Sequence, residues 1–319
     1  MAMLKAKVLA VAGPAMGLVA GLVAIYAAMS ALGYETASFG FLFGFPLLAG
    51  AIIMHFRPQG RFRSFFLAVF WLVLTIVLSL VATFLGGLEG AICIAMAAAP
   101  ILLFAMAGGL IYLFYLRWRG APGEALKVTI LPLLLFLALD ALPREPSVYR
   151  FSDEVIIAAP PALVFARIKS IPDIRADEVA TRPSHYLGIP KPTRAVWTGA
   201  GRGALRHSHW GGDVHFLERI TGYEPGRRIA WDFEFPEGWA APGIEDPHVR
   251  VGGRYFNVLR GEYRLEDLGG ATRLTLTSWT WDGSRFGPYA KLWHLFFFRD
   301  FHRAILDLVK ARVEAGAGL

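Results

Sequence analysis

Charged residues are scarce before residue 143 of this 319-residue chain and common after it. This scarcity excludes an ordinary soluble domain for the first half, because about a quarter of a typical soluble chain is charged. The single cysteine, Cys93, excludes an intrachain disulfide framework and a thiolate metal cluster. The sequence also lacks a phosphate-binding loop, a dinucleotide fingerprint and a nucleophile elbow, which weighs against enzymes of those classes.

Apolar runs fill this first half, and we predict that five of them cross a membrane as helices. A bilayer core of roughly 30 Å needs about 20 residues at 1.5 Å per residue, with a range of about 17–25. The first run is longer than the core of a cleaved signal peptide, which is about 7–15 residues. The fifth contains Pro132 and Asp140, and we expect Asp140 to be a solvated carboxylate near the membrane surface. The predicted spans are 8–32, 39–56, 64–85, 91–116 and 126–142.

Basic residues precede the first run and fall in alternate loops between the runs. In the other loops the only charged residues are Glu35 and Glu89. Under the positive-inside rule the amino terminus is cytoplasmic and the chain after residue 142 lies outside; it would be cytoplasmic if the fifth run were not a span. We therefore interpret the net charge of +7 as membrane topology and expect no nucleic-acid partner. The basic residues are Lys5, Lys7, Arg57, Arg61, Arg63, Arg117, Arg119 and Lys127.

The runs carry very few ionisable side chains, and an ion pathway usually needs such groups within the bilayer. We expect residues 1–143 to form an anchor or a lipid-facing helix bundle. The chain changes character at Pro143 and Pro146, where a second domain, residues 144–319, begins. Alternating β-branched and aromatic segments separated by Gly-containing turns predict strands near residues 149–157, 194–197, 204–210, 214–223, 228–235, 255–266 and 272–281.

A long helix is predicted over Gly287–Val313, because apolar residues recur there at spacings of three and four. Strands followed by one long helix indicate an α+β fold of two layers, and a gap between the layers can hold an apolar molecule. On the strands, Trp231, Phe233 and Phe235 share one face by alternation. The same reasoning places Tyr255, Asn257, Leu259, Tyr263 and Leu265 together on the next strand.

The order of these elements resembles the START-like superfamily with its helix-grip fold. Three segments and the terminal helix carry the resemblance, which covers about residues 148–315: EVIIAAPPALVFARI (154–168), ERITGYEPGRRIAWDF (218–233) and GEYRLEDLGGATRLTLTSWTW (261–281). Within the superfamily the chain is most similar to the polyketide cyclase/dehydrase and lipid-transport group. The resemblance implies a curved antiparallel sheet around the last helix, enclosing a pocket for a lipid, sterol, polyketide or other apolar ligand.

Candidate site residues follow from these patterns. The predicted ligand-binding residues are Trp231, Phe233, Phe235, Tyr255, Asn257, Leu259, Tyr263, Trp293, Phe297 and Phe301. His207, His209 and Tyr263 are candidate acid/base groups. The first two share a strand face and His215 follows on the next strand, so three imidazoles could hold Zn²⁺. No fourth ligand is recognisable and Glu218 does not fit a familiar metal spacing, so we predict neither a metal nor a cofactor.

The segment 236–252 is longer than a hairpin needs, and we expect either a gate over the pocket or an unstructured insertion. The first functional hypothesis is an integral protein of the cytoplasmic membrane whose outer domain binds a lipid or other hydrophobic molecule without catalysis. A second is a polyketide cyclase/dehydrase-like enzyme that uses the pocket histidines or tyrosines. A third is a module that regulates a membrane partner, and the sequence identifies no such protein.

Overall fold

The computed structural model describes residues 2–32, 37–57, 64–246 and 249–317. The chain divides into two compact units, Met1–Arg144 and Glu145–Leu319. Among the loop charges that predict topology, Glu35, Arg61 and Arg63 lie outside the described residues.

The amino-terminal unit is helical, as its long apolar runs predict. A π-helix, Gly40–Gly44, continues directly into the second α-helix, whose first residues are Phe45 and Pro46. The α-helices are α1 Ala2–Ala31, α2 Phe45–His55, α3 Phe65–Leu85, α4 Ala91–Arg119, α5 Pro122–Val128 and α6 Ile130–Asp140.

Three helical stretches in the described residues are long and apolar enough to cross a membrane: Phe65–Leu85, Ala91–Arg119 and Pro122–Asp140. Two shorter apolar stretches, Met16–Ala31 within the 30-residue α1 and Gly40–His55, lie where the first two spans were predicted. The 16 residues of Gly40–His55 extend about 24 Å, less than the roughly 30 Å of a bilayer core, whereas α1 as a whole extends about 45 Å. By length and hydropathy together, three helices of the described residues are candidate spans where the sequence predicted five.

Glycine allows α2 and α4 to pack with their backbones in contact. A Cβ at Gly50 would collide with the carbonyl group of Ala105, and one at Gly108 would collide with that of Leu47. Small residues permit this close approach between apolar helices.

Asp140, at the end of α6, caps the start of the π-helix. Its carboxylate accepts the backbone N–H groups of Phe39 at 2.8 Å and Gly40 at 2.7 Å. The prediction of a solvated carboxylate was therefore wrong: a half-buried Asp140 satisfies two N–H groups that have no helical partner.

The carboxy-terminal unit is a single antiparallel sheet with a long helix against one face. The strands are β1 Ser147–Ile157, β2 Pro192–Thr198, β3 Leu205–Trp210, β4 Val214–Glu224, β5 Arg228–Glu234, β6 Phe256–Asp267 and β7 Thr272–Asp282. The helices are α7 Pro161–Lys169, the short α8 Pro183–Tyr186 and α9 Gly287–Ala317. The strand order is β1-β7-β6-β5-β4-β3-β2, with every pair antiparallel.

Helix α9 covers the face of the sheet that we call inner. The ring of Phe298 stacks on Phe151 of β1 with centroids 5.9 Å apart. Two buried histidines of α9 reach β7, where His302 contacts Ser278 at 2.8 Å and His294 contacts Thr280 at 2.7 Å. Alternation along each strand then separates side chains that face α9 from those on the outer face.

The sheet has two distinct ends. At the closed end, where β1 finishes and β7 begins, Ile157 pairs with Thr272. A buried apolar core occupies this end and continues to the middle of the sheet. Its members include Ile157, Val164, Ile168, Ile220, Ile229, Leu274, Leu306, Leu308, Val309 and Val313. At the open end, β1 begins and β7 finishes with the pair Ser147 and Asp282.

Candidate ligand-binding groove

Aromatic side chains line the inner face of β3 to β5 at the open end, yet they are only half-buried. Trp210 meets Phe301 of α9 with ring centroids 5.6 Å apart, and Phe216 lies 5.8 Å from Phe233. Because these rings are only half-buried, part of their apolar surface stays accessible. We call this surface the groove and define it by Trp210, Phe216, Phe233, Phe235, Trp239, Trp293, Phe297 and Phe301.

A buried ion pair forms the base of the groove. Arg206 donates from Nε to Oε2 of Glu218 at 2.7 Å, and its Nη2 donates to the same oxygen. The two side chains are only 4% and 7% exposed. Ser208 donates to the other carboxylate oxygen at 2.7 Å, and Arg206 Nη1 donates to the carbonyl of Ile168 at 2.9 Å. Such pairing is what allows charges to be buried at all.

The base adjoins the aromatic surface directly. Ser208 is the register partner of Phe216, and Glu218 is the partner of Phe233. A small-molecule site of the ordinary kind combines an apolar lining with a few polar groups that fix orientation. The groove has both parts, arranged on neighbouring strands.

Tyr263 and Trp231 complete the base. The Arg206 guanidinium lies 4.6 Å from the ring centroid of Trp231 and 5.4 Å from that of Tyr263. Burial, supported by the charge of Glu218 and opposed by Arg206, raises the pKa of Tyr263 to about 12. The phenol keeps its proton at neutral pH and can donate a hydrogen bond, but the raised pKa makes it a weaker acid than an ordinary tyrosine.

Trp231 lies flat over β6 because residue 261 is glycine. A Cβ at Gly261 would collide with the indole ring. The buried Nε1 of Trp231 has no hydrogen-bond partner among the described residues. A buried donor left unpaired costs roughly 1–3 kcal/mol, and a ligand oxygen at the base would satisfy it.

The predicted ligand-binding residues occupy several places. Phe233, Phe235, Trp293, Phe297 and Phe301 belong to the groove, whereas Trp231 and Tyr263 are each 3% exposed and lie at its base.

The predicted common face for the β6 residues was wrong. A β-bulge between Val258 and Arg260 shifts the register, so that Phe256 and Val258 share the inner face with Tyr263. Phe256 contacts His294 of α9 at a centroid distance of 5.1 Å. Asn257 instead pairs with Trp281 on the outer face, Leu259 is the extra residue of the bulge, and Tyr255 precedes the strand.

The histidine candidates lie on the opposite side of the sheet from the groove. Arg206 and Ser208 of β3 are buried on the inner face, so His207 and His209 between and beyond them point outward. His215 is the register partner of His209 and shares the outer face. The hypothesis that His207 or His209 acts as a pocket acid or base was therefore wrong.

The polar base of the groove was not predicted, although the alternation of residues along β3 indicates it. Trp210 is a bulky residue that belongs inside, and residues 206 and 208 have the same parity on the strand. Arg206 and Ser208 should then face inward. Hydrophobicity alone predicts that Arg206 faces solvent, because arginine is rarely fully buried.

One buried relay has the hydrogen-bond order of a hydrolase triad. His302 lies 2.8 Å from the Oγ of Ser278 and, through its other ring nitrogen, 2.9 Å from Asp153. However, Ser278 lies in the middle of β7, whose backbone N–H groups pair with β1 and β6. An oxyanion hole needs unpaired donors beside the nucleophile. We therefore interpret the relay as a polar contact that fixes α9 to the sheet.

The segment after β5 folds back beside the groove. Trp239 contacts Phe235 at a centroid distance of 4.9 Å, and its carbonyl accepts the backbone N–H of His215 at 2.6 Å. Farther along, Glu245 accepts the N–H of Val251 at 2.8 Å. The described part of 236–252 is therefore ordered, and the expectation of an unstructured insertion was wrong for it; the gate stays a prediction.

Similarity to known proteins is confined to solved structures; no protein-family model and no curated protein sequence matches the chain. Ara h 8.0201 is 14% identical, covers 53% of this chain and 99% of its own, and has a TM-score of 0.34. An aromatase/cyclase from a Streptomyces species is 18% identical over 53% and 94%, with a TM-score of 0.33. A Thalictrum norcoclaurine synthase is 10% identical over 55% and 99%, with a TM-score of 0.35.

The architecture itself identifies the class of the carboxy-terminal unit. Seven antiparallel strands around a 31-residue terminal helix form a helix-grip fold. The predicted helix-grip fold is thereby confirmed for residues 145–319.

Proposed function

We propose that the carboxy-terminal unit binds a hydrophobic small molecule in the groove, with the polar end of the ligand at the Arg206–Glu218 base. One observation carries the proposal: half-buried aromatic rings between sheet and helix end at a buried ion pair. An apolar ligand would cover these rings, and each Å² of apolar surface removed from water would favour binding by roughly 25 cal/mol. A lipid or lipid-like molecule has the required combination of a long apolar part and a polar end.

We also propose that the amino-terminal unit anchors this domain to the cytoplasmic membrane by five crossings. Three helices have the length and hydropathy of spans, α1 is long enough for a fourth, and the bilayer would thin locally around Gly40–His55. The basic loops around Arg57 and around Arg117, Arg119 and Lys127 favour a cytoplasmic amino terminus and an outer domain. Anchoring would raise the effective concentration of the domain at the lipid surface.

The binding proposal is tested by mass spectrometry of the full-length protein extracted in native lipid with a copolymer. We expect an apolar compound in stoichiometric amount. Phe233→Asp places a carboxylate in the groove and should reduce this compound at least tenfold, because an unpaired buried charge is costly. The matched control is Trp279→Asp on the outer face, where Arg150 and Arg260 flank the ring and would accommodate the carboxylate. Wild-type protein without any such compound, or equal loss in both variants, would contradict the proposal.

The hydroxyl of Tyr263 lies beside Arg206 and Glu218 at the base and favours a second candidate, conversion of the same apolar ligand with this hydroxyl as a hydrogen-bond donor. Tyr263→Phe keeps the aromatic ring and removes the hydroxyl group. We expect an enzyme to accumulate a different compound, its substrate, in this variant. Recovery of the same compound from wild type and Tyr263→Phe would leave binding as the function.

Topology is tested with single cysteines in a Cys93→Ser background. Glu124→Cys precedes the last predicted span, and Glu237→Cys lies at an exposed position after β5. A membrane-impermeant maleimide applied to intact cells should label residue 237 and leave residue 124 unlabelled. Labelling of neither residue would place the domain in the cytoplasm without a fifth crossing, and labelling of residue 124 alone would reverse the whole topology.

A further inference from the structure

Three imidazole rings lie together on the outer face of the sheet. His207 and His209 are two residues apart on β3, and His215 of β4 is directly opposite His209. The ring centroids of His209 and His215 are 4.3 Å apart, and those of His207 and His215 are 5.9 Å apart. All three residues are half-exposed, so their rings can turn without disturbing the core.

Arg194 of β2 fixes the tautomer of His209. Its guanidinium lies 3.3 Å from Nε2 of His209, and because arginine can only donate, this nitrogen accepts and the ring proton resides on Nδ1. An accepting ring nitrogen has the lone pair that a metal ion requires.

We propose that His207, His209 and His215 form a binding site for one divalent transition-metal ion of the Zn²⁺ class. Two histidines alternating on one strand and a third directly across the strand pair supply three nitrogen ligands to one side of an ion. The fourth position faces solvent, beside a cleft of about 440 Å³ lined by His209, Arg194 and Asp213. From the sequence no metal was expected, because no fourth protein ligand is recognisable; the register that sets His215 directly opposite His209 is visible only in the structure.

Two adjustments accompany binding. The stacked rings must rotate so that their nitrogens converge, and Arg194 must leave His209. Arg194 is exposed on β2, the last strand of the sheet, so its side chain can move into solvent. Histidine nitrogens favour Zn²⁺ over Mg²⁺, which prefers oxygen ligands.

The ion would join β3 to β4 from outside. These strands carry Arg206, Ser208 and Phe216 on their inner faces, so the ion would stiffen one wall of the groove without touching a ligand. Since only the folded chain aligns the three histidines, zinc should raise the melting temperature of the protein.

The test uses full-length protein in detergent micelles, freed of metal by chelation and titrated with ZnCl₂ against a chromophoric chelator. We expect one Zn²⁺ per chain with a dissociation constant of about 10 µM or tighter, and no binding of Mg²⁺. His215→Asn should weaken binding at least tenfold. Arg194→Gln should tighten it several-fold, because it removes a competing donor and a positive charge. His185→Asn, which changes a histidine that bonds the carbonyl of Ile189 elsewhere in the unit, should have no effect.

Melting curves without zinc show whether each variant is folded. If His215→Asn is destabilised, His207→Asn takes its place in the comparison. Wild-type protein that binds no zinc below about 100 µM would overturn the proposal. So would equal affinity in wild type, in His207→Asn and in His215→Asn, since zinc would then bind elsewhere.

Discussion

The closed and open ends of the carboxy-terminal sheet are built from the same strands and the same helix, yet they are packed differently. At the closed end, Leu274 is 0% exposed and belongs to a continuous apolar core. At the open end, aromatic rings such as Phe216 and Phe235 face the same helix but remain half-exposed. The difference indicates that one end holds the fold together while the other leaves apolar surface accessible, as the proposed binding requires.

The Arg206–Glu218 pair lies where the two ends meet. Its position explains how a charged pair in the interior can adjoin both the packed core and the groove. The pair borders the core through the carbonyl of Ile168 and borders the groove through Phe233, the register partner of Glu218. It thus gives the groove a polar base without exposing the core to water.

The largest effect is expected from breaking this pair. Glu218→Leu leaves the Arg206 guanidinium buried and unpaired, and we expect the free energy of unfolding to fall by about 4 kcal/mol. Glu234→Ala is the matched control, because Glu234 pairs with Arg219 across adjoining strands on the outer face. That exposed pair contributes about 1 kcal/mol or less. Urea unfolding of full-length protein in micelles, followed by aromatic circular dichroism, measures both.

Similar losses in the two variants would show that the two faces of the sheet do not differ as described. The double variant Arg206→Met with Glu218→Leu should recover most of the lost stability, because it replaces the pair with apolar groups of similar volume. No recovery would mean that the pair contributes through its specific hydrogen bonds, including the one from Ser208.

The second prediction compares the loss of stability caused by truncating one side chain at each end of the sheet. Leu274→Ala creates a cavity in the closed end and should lower the free energy of unfolding by about 3 kcal/mol. Phe235→Ala at the open end should cost about 1 kcal/mol, because water already reaches the ring. The same urea measurement applies. Equal losses would show that the groove is ordinary core and would weaken the binding proposal.

The smallest effect concerns pH at the helix–sheet contact. Burial lowers the pKa of His294, and the neighbouring Asp282 opposes this shift. The unfolded chain therefore takes up a proton first as the solution is acidified, and stability falls as pH drops below about 6.5. His294→Gln, which can still bond Thr280, should make the decline in melting temperature between pH 7.5 and 5.5 shallower. An unchanged decline would assign the acid sensitivity to other groups, such as His209 and His215.

Much of the fold was predictable because local patterns specify it. Gly-containing turns and alternating residues placed all seven strands near their observed positions, and the terminal helix followed from its apolar periodicity. The short helix α8 was missed, since Pro183–Tyr186 is too brief for a periodic signal. The number of spans was harder to predict, because Gly40–His55 is apolar enough but too short in the structure.

The site was predicted in part. The aromatic residues of β5 and α9 were found because alternation and helical spacing hold along regular elements. On β6, the bulge after Val258 reversed the faces, and no property of the letters 256–260 marks it. The histidines were assigned to the pocket because sequence shows that His207 and His209 share a face but not which face meets the helix.

The sequence by itself determined the division into an apolar helical half and an α+β half, the strands and the long final helix. These features depend on composition and on periodicities of 3.6 and 2 residues, which are local properties of a chain. Only the tertiary structure decided which face of each strand lies under α9, and it thereby joined Arg206 to Glu218 and set His215 opposite His209. Burial of an ion pair and alignment across strands depend on contacts between distant residues, so they become visible only when the register is known.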